Sequence, residues 1–239
     1  MIHAKERLND EQESLRSAME GIQAKLWTAL PAKILTVNYS AQTLTAQPTI
    51  MGKITNDNGI VSDVNMPVLV DIPFQSFGGS GFVVTMPNLE GSECLIVFSS
   101  RCIDGWWSVG GVQPQAEQRM HDLSDGMAII GFNSQARVIP SYSTTQVEVR
   151  TFDGTTKVGL IAGTVTITAA NTHITGTLQV DGAVTTNSTL ATQGEITSAV
   201  SVTAPNVIGS TNVTFGGKSG IAHTHSGVTT GTGNTGAPN

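Results

Sequence analysis

The chain has 239 residues, of which 13% are charged and 5% aromatic, with a formal net charge of -6. So few charges exclude charge-driven disorder, and an acidic balance without a Lys/Arg cluster excludes a protein that grips nucleic-acid phosphates. No apolar run approaches the roughly 18 residues of a membrane span, and the N-terminus lacks the apolar stretch of a secretion signal, so folding in the cytosol is the default expectation.

Residues 3–29 read as a helix, rich in helix formers and ending before Pro31. Leu8, Leu15 and Ile22 recur every seven residues, with Met19 and Leu26 beside them. Such a thin apolar stripe fits either a helix packed on its own domain or one that pairs with sister chains or a docking partner. From 31 to 111 the pattern turns to strands: "AKILTVN", "TLTAQPTIM", "MPVLVDIPF", "GFVVTMP" and "CLIVFSS". Between them "NDNG", "FGGSG" and "PNLEG" supply turn residues. Five short strands with most of the large apolar side chains, Trp106 and Trp107 included, predict a small barrel with its own core. Cys94 and Cys102 lack metal-motif spacing and are expected as free thiols.

Residues 112–145 read as a connecting segment. His121, Asp122 and Asp125 lie together there, but one His beside two Asp matches no ligand spacing. Asp-Gly is a turn pair, so turn chemistry is the expectation.

Beyond 145 the chain is dominated by Thr, Val, Ala and Gly. Pieces such as "TVTITA", "HITGTLQV" and "AVSVTA" offer two or three modest apolar side chains each, among them Val165, Ile167, Ile174, Leu178 and Val180. Ordering a residue costs about 1–2 kcal/mol of backbone entropy, and a buried Val or Leu returns about 1.5–3 kcal/mol. The missing apolar surface must come from other chains. Three copies winding strands about one axis is the economical solution, so residues 146–216 predict an intertwined trimeric β-helix or prism. His173 is expected on its outer face, because Ile174 shares parity with Leu178 and Val180.

Residues 217–239 carry His223 and His225 in "SGIAHTHSGV". In an extended strand, residues i and i+2 point the same way. Three chains around an axis would present six imidazoles in two layers, an octahedral shell that favours iron or nickel over four-coordinate zinc. A solvated tail that binds nothing is the alternative. After His225 the chain either turns back around the apex or stays disordered.

In this order, "QTLTAQPTIMG", "PVLVDIPFQSFGGSGFVVTMPNLEGSECLIVFSSRCIDGWW", "RMHDLSDGMAIIGF", "HITGTLQVDGAV" and "SGIAHTHSGV" resemble the central spike proteins of contractile-tailed bacteriophages, the membrane-piercing needles of the baseplate. The resemblance implies a mainly β homotrimer: an N-terminal helix (1–30), an OB-fold-like barrel (31–111), a connecting segment (112–145), a β-helix (146–216) and a metal-capped apex (217–239). It implies one iron ion per trimer on the threefold axis, held by His223 and His225. It also implies a baseplate hub partner, a place at the virion's tail tip, and mechanical puncture of the host outer membrane without enzymatic activity. A tail fibre or adhesin binding a surface glycan is the alternative, but the C-terminus offers neither exposed aromatics nor a groove. An enzyme, such as a solenoid-type polysaccharide lyase or a metallohydrolase, is the third reading; a metallohydrolase would need a carboxylate base beside "HTHSGV", and none is there.

Overall fold

The structure, a computed structural model, describes residues 11–79, 81–87, 89–221, 227 and 231. It divides into two compact units, 1–173 and 174–239. In chain order the first unit holds α1 (Glu11–Gln23), β1 (Ala29–Asn38), β2 (Thr43–Pro48), β3 (Gly52–Thr55), β4 (Val61–Val64), β5 (Leu69–Pro73), β6 (Phe77–Gly78), β7 (Val83–Val84) and β8 (Glu93–Phe98). There follow α2 (Asp104–Val109), a 3-10 turn at Leu123–Asp125, β9 (Gly126–Ile130), β10 (Val147–Arg150), β11 (Lys157–Ile161) and β12 (Thr164–Thr168). The second unit holds one short hairpin, β13 (Thr214–Phe215) and β14 (Lys218–Ser219). The protein is mainly β, and no described helix is long and apolar enough to cross a membrane.

Five strands form one antiparallel sheet in the order β5-β2-β1-β8-β9. It curls into a half-barrel whose edges touch at one point: Phe74 bridges to Ala128, and the Gln75 N–H donates to the Ala128 carbonyl at 2.9 Å. Alternation drives the curl. Residues of one parity, Ile34, Leu44, Ala46, Ile72, Cys94, Ile96, Phe98, Ala128 and Ile130, turn inward and are buried. Trp27 and Leu123 pack against the same core. Both cysteines are free thiols, and burial pushes the Cys94 thiol up to about 11.

Four of the five expected runs supply this sheet, and the fifth does not. "GFVVTMP" gives only the two-residue β7, paired with β6, and leaves Phe82 90% exposed. The fifth strand is β9, from within the segment read as a connector. α1 is described from Glu11 and stops at Gln23, short of the expected end near residue 29. Pro31 lies inside β1, opposite Leu95 of β8, and its carbonyl accepts from the Thr49 N–H at 2.9 Å. Packing ends the helix here. Trp27 is drawn onto the barrel core, its N–H donating to the His121 carbonyl and its own carbonyl meeting His121 Nδ1, both at 3.2 Å.

β10, β11 and β12 form a separate antiparallel meander. Its polar lock is Glu148, whose side chain is 5% exposed. That carboxylate accepts from Lys157 Nζ and Gln146 Nε2, each at 2.8 Å, and from Arg150 Nη1 at 3.2 Å. After Thr168 no strand occurs among the described residues until Thr214.

Candidate functional site

His223 and His225, the expected metal ligands, lie outside the described residues. His173 is exposed, but so are Ile174, Leu178 and Val180, so its exposure does not distinguish an outer face from an inner one. His121 adopts a positive φ of 50° and latches Trp27, a structural duty. Asp122 is the cap of the 3-10 turn: its carboxylate accepts from the Ser124 N–H at 2.9 Å, which holds its pKa below the usual range.

Asp125 does more than turn the chain. It is fully buried and gripped from two sides: Arg119 Nε donates to Oδ2 at 2.8 Å and Nη2 to Oδ1 at 3.0 Å, while the Ile103 N–H donates at 2.9 Å. The same Nη2 reaches Asp104 Oδ1 at 2.7 Å and lowers the Asp104 pKa, while the hydrogen bonds to Asp125 first and Asp104 second raise that of Arg119. Cys102, Asp104 and Asp125 place ligand atoms within 4.8 Å of one another. A cation there would have to displace the Arg119 guanidinium, which already donates to both carboxylates. The cluster is a clamp that ties α2 to β9, and it does not fit a metal.

α2 lies beside the outward face of β8 and β9, where Val97, Met127 and Ile129 alternate with the buried Ile96, Phe98, Ala128 and Ile130. Trp106 and Trp107, with ring centroids 6.2 Å apart, face Phe74, Val97, Met127 and Ile129 across a groove of about 440 Å³. No titratable group lines it among the described residues, so the surface is suited to holding an apolar side chain. Trp106 and Trp107, counted among the large apolar side chains of the expected barrel, are 46% and 42% exposed.

Among the described residues, the C-terminal chain leaves its apolar side chains uncovered. Every residue from 161 to 212 is exposed. Within the second unit that includes Leu178, Val184, Leu190, Ile196, Val200, Val202 and Ile208, with turn residues between them.

Residues 30–131 match the family model described as the phage protein Gp138 N-terminal domain. The match begins with β1 and ends just past β9, so it spans the half-barrel, α2 and the Arg119–Asp125 clamp. It supports a phage structural protein and a component of the virion. No curated protein matches the chain.

Proposed function

We propose that this chain is the central spike of a contractile phage tail, a homotrimer that punctures the host outer membrane when the sheath contracts. One observation carries the reading: among the described residues, the exposed apolar ladder from Ile174 to Ile208 has no partner within its own unit. A solitary chain would hold these side chains in water and bury nothing in return. Three copies wound about a common axis bury them together, and closure removes the free strand edges that invite aggregation. The half-barrel, folded on its own core, fastens the spike to a baseplate hub. The wound segment resists bending.

The spike's tip would be held by His223 and His225 from each of three chains around one iron ion. The donor set fits, since imidazole suits iron and no carboxylate stands beside the pair. Six ligands leave no open coordination position, so the ion would clamp and not catalyse. Metal binding free energy becomes folding free energy when the site exists only in the assembled state.

Native mass and elemental analysis of the purified protein test this. A trimer with one transition metal per three chains is expected, and the His223→Ala/His225→Ala variant should lose the metal while remaining a trimer. A metal-free trimer would sink the clamp. A monomer would sink the spike.

A further inference from the structure

α1 carries an apolar stripe that no described residue of its own chain buries. Leu15, Met19 and Ile22 line one side of the helix and are 55–67% exposed, and Leu26, beyond the helix end, is 47% exposed. The spacing alternates four and three residues through Gln12, Leu15, Met19 and Ile22, the a and d positions of a heptad, and in sequence it reaches back to Leu8. The flanks are polar. Arg16 binds Glu13 at 2.5 Å and also pairs with Glu20, and both glutamates sit away from the seam at b positions. The chain leaves this helix at a fixed root, because Trp27, one residue beyond Leu26, packs on the half-barrel core.

We infer that α1 is one strand of a parallel three-helix coiled coil formed with the same helix of two further copies. An amphipathic helix whose apolar side meets water needs a partner, and the sequence names its kind. A seam confined to a and d is the narrow stripe of a coiled coil, whereas docking on a globular surface takes a wider apolar face. Glu11 falls at g and Arg16 at the following e, opposite charges at the positions that face one another between parallel neighbours. Gln12, the one polar residue in the a/d series of the helix, is the kind of residue that fixes register. A seam of fewer than three heptads is too short to associate alone. It becomes stable once the three roots are held together, because the local concentration of each helix then reaches the millimolar range. The inference therefore rests on the trimer proposed above, and adds that both ends of the barrel sequence lead into three-chain contacts.

The test uses the full chain with Cys102→Ser, leaving only the buried Cys94. Ile22→Cys places a thiol at a d layer, where neighbouring helices come within disulfide reach. Ser17→Cys places one at f, on the outside. After mild oxidation of the trimer, Ile22→Cys should put roughly two thirds of chains into a disulfide-linked dimer, since one bond joins two of three. Ser17→Cys should link at least about tenfold less. A trimer by native mass in which Ile22→Cys stays unlinked, or in which both thiols link equally, overturns the coiled coil and leaves the spike standing. A monomer overturns both.

Discussion

Substituting Arg119→Ala should destabilise the half-barrel far more than its partly exposed position implies. The arginine side chain is 19% exposed, but its partner Asp125 is 0% exposed and takes two of its three hydrogen bonds from that guanidinium. Removing the arginine leaves a buried carboxylate with the Ile103 N–H alone. Breaking a buried pair in this way costs about 3–5 kcal/mol. Asp104→Ala, by contrast, removes a partner that is 51% exposed and should cost about 1 kcal/mol or less. Arg119→Lys should fall between them, since an ammonium cannot hold both Asp125 oxygens and Asp104 in one fork.

Tryptophan fluorescence reads this unit selectively, because Trp27, Trp106 and Trp107 are the chain's three tryptophans and all lie within it. With a urea slope of about 2 kcal/mol/M for a domain of this size, Arg119→Ala should lower the fluorescence midpoint by roughly 1.5–2.5 M. A midpoint within about 0.3 M of wild type would refute the clamp. So would an equal shift for Asp104→Ala.

Gly126→Ala tests the packing beneath β9. A Cβ there would meet Ile96 Cγ2 at 2.9 Å and Ile72 Cδ1 at 3.2 Å, so overpacking should cost about 1–3 kcal/mol by the same urea assay; an unchanged midpoint would mean that this corner of the core is loose. Glu148 gives a pH dependence. Hydrogen bonds from Lys157, Gln146 and Arg150 bring its pKa down from the ordinary 4.5 to about 2. A depressed folded pKa contributes stability above the unfolded value and loses it as pH falls through the folded one. The difference in thermal midpoint between wild type and Glu148→Gln should therefore shrink as pH falls from about 4.5 towards 2; a difference that does not change with pH would refute the lock.

Much of the half-barrel was legible because alternation in β1, β2, β5 and β8 is strong and each strand meets a core. β9 was hidden by its first residues. Asp125-Gly126 reads as a turn, and a 3-10 turn does end there. Yet Gly126 is small because Ile96 and Ile72 crowd it, and Asp125 is acidic because Arg119 answers it. Neither reason is local, so neither shows in a window of sequence. "GFVVTMP" failed for the converse reason: its β-branched residues suit a strand, but the sheet's edge was filled by β9. Pro31 read as a boundary because proline stops helices. Packing of Trp27 had already ended α1, which left Pro31 free to lie within β1. The histidine pair rested on motif order and symmetry, and its positions fall outside the described residues.

The two units differ in where their stability resides, and that difference bears on assembly. The first unit buries Ile34, Leu44, Ile96 and their neighbours within one chain, so its curled sheet can form before any partner arrives. The second exposes Leu178, Val184, Leu190 and Ile196 throughout, and each residue ordered there costs about 1–2 kcal/mol with nothing buried to offset it. On the proposed reading, its order is coupled to association and depends on protomer concentration. Chains would fold their half-barrels first and wind their C-terminal segments together afterwards. A coiled coil rooted at Trp27 would shorten that second step, because it aligns three chains in parallel before the apolar ladder has to find its register.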